Sequence, residues 1–248
     1  MLRLRGAAVA CVVTALLLAG CGSDVAETGS GSPTSSPSSK PTGPSLAALS
    51  AGTIVKRAQA ALKAAQTMRV KGAMAAEGQS ISLDLKYGKT GTAGTITIAG
   101  ASLGLIVIGK TVYIKPSQAF WRQNLPSRQA GAVIELMRGK WLKAPLTDPR
   151  WGSFAQFADK DDIVAGLFKD VKTKKLKKKG PKTIGGVRSI GVDDGEGVLW
   201  VNVSNARPVK IDPPRGKKGT LTFSEYNAIA NPKAPPAELI IDAKKLSG

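Results

Sequence analysis

The sequence predicts an α+β fold, with one strongly curved antiparallel sheet of about ten or eleven strands and helices packed on its concave face. Three observations carry this prediction. Short runs in which apolar and polar side chains alternate occur on both sides of the chain's middle. Helical spacing is confined to an opening segment and to a group of short segments between those runs. The connections between runs are tight and rich in Gly, Asn and Asp, which joins neighbours antiparallel, because parallel strands need long crossovers. A sheet of about ten strands must curl or split, and helices grouped in the middle of the chain suit the hollow of a curled one.

The elements follow in order. Arg3 and Arg5 precede an apolar run from Ala7 to Leu18, within the roughly 7–15 residues of a signal-peptide core and shorter than the ~20 needed to span a bilayer. Leu18-Ala19-Gly20-Cys21 closes it. This resembles the type II signal sequence of bacterial lipoproteins, so residues 1–20 read as a signal peptide and Cys21 as the acylated first residue of the mature chain. Lipid there would hold the protein on the outer face of the cell membrane, since two or more acyl chains anchor stably. Residues 22–44 are rich in Ser, Gly, Pro and Thr. They cannot bury enough apolar surface to offset ordering entropy and read as a disordered tether. Residues 45–248 form the folded domain.

In that domain, Leu46 to Gln66 reads as an amphipathic helix with Ser50 as N-cap. Strands are expected at Met68–Met74, Ile81–Tyr87, Thr95–Ile98, Leu103–Ile108 and Thr111–Lys115, with Gly88, Gly91 and Gly94 marking one turn and Gly109-Lys110 another. Ser127–Arg138 reads as a helix stopped near Gly139, and Lys140–Lys143 as a short extended piece. Trp151–Phe157 and Asp159–Phe168 read as short helices, the second capped near Asp159 or Asp161. Strands return at Val171–Lys178, Lys182–Val192, Gly197–Val203, Arg207–Ile211, Thr220–Phe223 and Leu239–Ile241, with turns at Asp193-Asp194-Gly195 and Asn205-Ala206.

Composition excludes several chemistries. The chain has 2 cysteines and no histidine. Cys11 would leave with the signal peptide and Cys21 would carry lipid, so the domain holds no thiol and no disulfide. Ser-His-Asp and Cys-His nucleophiles, His-ligated zinc and thiolate metal sites are all removed. No catalytic, metal or cofactor residue is assigned. The charge is strongly basic, 36 Lys and Arg against 17 Asp and Glu, a formal +19. Nucleic acid is the usual partner of such a charge. Outside the cell the available polyanions are anionic lipid headgroups and cell-wall polymers, so no nucleic acid is expected.

Five segments carry a family likeness: Thr67 to Gly72 after the Ala-rich helix, Val112-Tyr113-Ile114-Lys115 with Phe120-Trp121, Gly139 to Lys143, Gly197 to Val201 with Arg207 to Lys210, and Gly219 to Asn227. On these residues the domain resembles the LolA-like lipoprotein carriers, and among them the actinobacterial lipoproteins of the LppX/LprG type. The resemblance implies a half-barrel around helices that encloses an apolar cavity, and a non-enzymatic protein that binds an acylated lipid or glycolipid and carries it in the cell envelope. A sensor or regulatory module on the same fold, working with a membrane transporter or an anti-sigma-type regulator, is an alternative. A structural lipoprotein that holds cell-wall polymers by charge is another.

A lipid cavity needs a dry lining, because exposing apolar surface to water costs ~25 cal/mol per Å². The candidate lining from the sheet is Ile96, Ile98, Ile106, Ile108 and Ile114. From the helices it is Val133, Leu136, Met137, Phe154, Phe157 and Leu167. The other reading of each is ordinary core packing. Lys172, Lys174, Lys175, Lys177, Lys178, Lys179 and Lys182 form the densest charge cluster. It reads either as a patch facing an anionic membrane surface or as a solvated edge strand whose lysines block sheet-to-sheet pairing. Asp193-Asp194-Gly195-Glu196 lacks the spacing of a calcium loop and reads as an acidic turn. Trp121, Trp141, Trp151 and Trp200 read as structural, with sugar stacking as the other option.

Overall fold

Alternating side chains build one large sheet, and its order shows how the two halves of the chain meet. The computed structural model describes residues 45–76, 79–148, 154, 157–169, 171 and 175–246. Cys21, the signal segment, the tether, Trp151, Lys172 and Lys174 lie outside the described residues.

The helix α1 (Ala51–Ala64) starts at Ser50, whose hydroxyl accepts the Thr53 N–H at 3.2 Å, satisfying one of the orphan amides of a helix start. A meander follows: β1 (Met68–Ala76), β2 (Gln79–Tyr87), β3 (Gly91–Ile98), β4 (Ala101–Ile108) and β5 (Thr111–Pro116). Then come α2 (Gln118–Asn124), α3 (Ser127–Leu136), β6 (Trp141–Pro145) and α4 (Lys160–Phe168). A second meander holds β7 (Lys177–Ile184), β8 (Val187–Asp193), β9 (Val198–Asn202), β10 (Pro208–Asp212) and β11 (Gly219–Ser224), and β12 (Ile240–Asp242) closes the chain. The sheet has 12 strands in the order β12-β6-β5-β4-β3-β2-β1-β11-β10-β9-β8-β7. Every pair is antiparallel except β12 against β6. It stays open, with β12 and β7 at its edges, and makes a curved half-barrel with helices on its inner face. The two meanders join at one seam, where β1 pairs β11 from Arg69↔Ser224 to Met74↔Gly219.

The inner face is legible in the burial alternation. Along β4, Ala101, Leu103, Leu105 and Val107 are buried, while Ser102, Gly104, Ile106 and Ile108 stand on the other face. The largest apolar cluster takes Leu62 of α1, Val70, Leu83, Leu85, Leu103, Leu105, Leu221 and Phe223 of the sheet, and Val164 of α4. A second joins Ile54, Val55 and Ala58 of α1 to Ile190, Val192 and Val201. A third packs Trp121 of α2 and Ala130, Ile134 and Met137 about α3 onto Leu142 of β6. All three fall in the compact unit Gly43–Gly248, which therefore carries its own folding core. No helix among the described residues is long and apolar enough to cross a membrane.

Several expectations are corrected. The helix α2 has no counterpart among the elements expected from the sequence. Ser117 starts it, accepting the Phe120 N–H at 3.3 Å, but 7 residues are too few to display a helical period. Gly91 and Gly94 are strand residues of β3, not a turn. A Cβ on either would sit 2.0 Å from a neighbouring strand's carbonyl oxygen, that of Val107 or Asp84, so both allow close backbone approach. The strands expected at Val171–Lys178 and Lys182–Val192 divide elsewhere. Gly180-Pro181 lies inside β7 at a register shift, as suits proline on an edge strand. The turn is Gly185-Gly186, with φ of 54° and 79°, the pair of positive φ values that a type I′ hairpin requires.

Candidate functional site

The site is built around α4. Asp159 caps the helix, its carboxylate accepting the Asp161 N–H at 2.7 Å. The Lys160 ammonium reaches back to the carbonyls of Leu62 and Lys63 at 3.2 and 3.1 Å, at the end of α1 where the Leu62 carbonyl also accepts from the Ala65 N–H. Thr92 of β3 donates to the Ala158 carbonyl at 2.7 Å. These bonds fix the start of α4 against the sheet, and Val164 is buried beneath it.

Farther along, the helix does not seal onto the strands. On one side a cavity of about 410 Å³ is lined by Val70 and Met74 of β1, Leu83 of β2, Leu221 of β11, and Phe157, Ile163 and Leu167. On the other side a cavity of about 310 Å³ is lined by Val55 of α1, Val192, Leu199 and Ile211 of the sheet, and Leu167, Phe168, Val171 and Leu176. Gly166 and Leu167 line both, so the C-terminal turn of α4 is the shared wall. Polar groups sit at the margins: Tyr87 and Asp162 at the larger cavity, Asp194 and Glu196 at the smaller.

The candidate lining residues divide. Phe157 and Leu167 line the larger cavity. Ile96, Ile114 and Phe154 are buried in the main cluster, and Ile98 packs against it, without lining either cavity. Val133 and Met137 belong to the separate cluster around Trp121. Three candidates are corrected. Ile106 and Ile108 are on the outer face, because the inward register of β4 runs through Leu103, Leu105 and Val107. Leu136 is 52% exposed, since α3 turns Ala130 and Ile134 inward instead. Sequence reasoning missed Val70, Met74, Leu83, Leu221 and Ile163. The strands of the first four and the helix of Ile163 are legible in the sequence, but only the pairing of β1 with β11 brings Val70 and Leu221 under one helix.

Of the five described lysines of the cluster, three have partners inside the domain. All of β7 but Ile184 is exposed on the sheet's edge. Lys178 donates to the Ala47 carbonyl at 2.9 Å, Lys179 pairs with Asp193 at 3.0 Å, and Lys182 lies 5.4 Å over the Trp200 ring. The acidic turn is held by its own amides. Asp193 accepts from Gly195 and Asp194 from Glu196, and the Gly195 N–H with the Lys179 ammonium keeps the Asp193 carboxyl below its ordinary range. No metal-binding group of acidic, Cys or His residues exists among the described residues. Trp121 packs in the third cluster and Trp141 lies beneath Lys115. Trp200 donates to Asp212 at 2.9 Å.

No protein-family model matches the chain, and no curated protein matches it. Among solved structures, the chain is similar to the crystal structure of LprF from Mycobacterium bovis, at 14% identity over 74% of this chain and 96% of that one, with a TM-score of 0.48. It is likewise similar to the crystal structure of the Mycobacterium tuberculosis lipoprotein LppX, at 14% identity over 73% of this chain and 97% of that one, with a TM-score of 0.40.

Proposed function

We propose that this chain is an extracytoplasmic lipoprotein, held on the cell membrane through lipid on Cys21, that binds an acylated lipid or glycolipid against α4 and carries it in the cell envelope. The observation that carries the reading is the pair of apolar cavities on either side of one helix wall. Each falls in the ~300–1,000 Å³ range of ligand sites. Binding hydrocarbon needs no reactive group, only surface from which water is excluded. A core packed solidly at native density would leave no such space. The tether at residues 22–44 would let the domain leave the headgroup layer while its anchor stays. The lysines of β7 support a looser role at an anionic surface, because three of them already have partners inside the domain.

Native mass spectrometry of residues 43–248, produced without the lipid anchor in the protein's own host, tests the reading. A co-purifying lipid mass is the expected result. A bare polypeptide mass that stays bare after incubation with host lipid extract would overturn it.

A further inference from the structure

The folded domain begins beside β7. Leu46 is buried with Ile54, Val55, Ile190 and Val192, and the Ala47 carbonyl accepts from the Lys178 ammonium of β7 at 2.9 Å. The chain that precedes Ser45 therefore enters the domain next to this strand. Lipid on Cys21, as proposed above, would draw the domain toward the membrane from that side.

The same strand is a free edge of the sheet, and every residue from Lys177 to Thr183 is exposed. Lysines on an edge strand can serve only to block sheet-to-sheet pairing, but here they surround the point where the anchor's chain arrives. Lys175 and Lys177 are exposed and close no hydrogen bond or ion pair among the described residues; Lys177 acts on Asp193 only through its field. Lys179 stays half-exposed in its pair with Asp193, and Arg188 stands across from Thr183. The carboxylates on this side are Asp193, already paired, and Asp194 and Glu196 in the β8–β9 turn. The described cations of the edge outnumber them. Leu176, immediately before β7, lines the smaller apolar cavity with Val55 and Val192.

We propose that the β7 edge is the surface by which the domain docks on its own membrane, with Lys175 and Lys177 meeting the anionic phospholipid headgroups of the leaflet that holds the anchor. Charge near such a surface is attracted within a Debye length. Docking by this edge turns the side of the domain that carries the smaller cavity toward the leaflet. The proposal rests on the anchored, lipid-carrying reading and adds to it the orientation in which the domain meets the membrane.

The test uses residues 43–248, which lack the anchor, sedimented with vesicles of equal parts phosphatidylcholine and phosphatidylglycerol or of phosphatidylcholine alone. The domain should bind the anionic vesicles at low salt, release them as salt rises, and ignore the neutral ones. Lys175→Gln with Lys177→Gln should weaken binding about tenfold at an unchanged thermal midpoint. Lys89→Gln with Lys110→Gln removes the same charge from the β2–β3 and β4–β5 turns, and should change binding less than about twofold. Equal losses from the two pairs overturn the proposal. The domain has no cysteine of its own, so a polarity-sensitive label on Thr183→Cys reads the β7 edge and one on Lys89→Cys reads the other meander. The first label should shift to the blue on anionic vesicles and the second should not; a shift at Lys89→Cys as large as that at Thr183→Cys overturns the docking edge. Retention on purified cell-wall fragments with none on vesicles overturns it as well. If the vesicles are ignored while lipid still co-purifies, the docking edge fails alone. If no lipid is taken up either, the carrier reading falls with it.

Discussion

At residue scale the sheet runs on backbone geometry that particular side chains help or hinder. Ala99 turns the β3–β4 hairpin at a φ of 48° while exposed, a left-handed conformation that costs a Cβ-bearing residue about 1 kcal/mol. Ala99→Gly should relieve this and stabilise the domain by about 0.5–1 kcal/mol, read as a raised denaturation midpoint at unchanged m-value. Gly94 is the opposite case. Gly94→Ala would drive a Cβ into the Asp84 carbonyl and part β2 from β3, at a cost of about 3 kcal/mol. An equilibrium denaturation curve indistinguishable from wild type would contradict this. Composition marks Gly94 as unusual, but whether a glycine turns the chain or lets two strands touch depends on the strand opposite it.

At the scale of elements, α4 is the wall shared by the two cavities on which the proposed lipid binding rests. Asp159, Lys160 and Thr92 fasten its start, while Gly166 near its end faces open space. Gly166→Leu should therefore fold normally, gain helix propensity of up to about 1 kcal/mol over glycine, and fill the wall shared by both cavities. Lipid recovered by native mass spectrometry should fall at least tenfold while the thermal midpoint holds. Full lipid loading in that variant would mean that the ligand sits elsewhere. The helix itself was legible, from Asp159 and the apolar run behind it. The helix α2 was not, because 7 residues complete barely two turns. The division of β7 from β8 was also hidden, since Gly180-Pro181 looks like a turn until the edge position of β7 shows that its missing N–H is not needed.

For the whole molecule, the critical contact is the seam where β1 meets β11 and the two meanders become one sheet. Beside it the Arg69 guanidinium of β1 binds Asp84 of β2 through Nε at 2.6 Å and Nη2 at 2.7 Å, and across it Glu225 beyond β11 through Nη1 at 2.7 Å. Arg69 holds the Asp84 carboxyl low, and Arg69 with Lys86 does the same for Glu225. At Asp212 burial pushes upward, but Lys210, Trp200 and Thr220 together outweigh it and the group is also held low. A carboxyl whose folded pKa is lowered adds stability above its unfolded value and loses it as pH falls through the folded one. The chain has no histidine, so no imidazole titrates near neutrality. The thermal midpoint should be flat from about pH 6 to 8 and fall below about pH 4. A transition centred near pH 6.5 in calorimetric scans would contradict this.

The sequence by itself determined the class of the fold, its inward and outward alternation, the main helix starts and the absence of histidine and thiol chemistry, because each is set by spacing or composition within a few residues. Only the tertiary structure decided which apolar residues enclose space and which fill it. Val70 and Leu221 are far apart in the chain and become neighbours through the pairing of β1 with β11. Ile106 and Leu103 look alike in sequence, yet one residue of register sends them to opposite faces. A cavity is the gap between a helix and a sheet that approach without touching, and no local pattern of side chains records that distance.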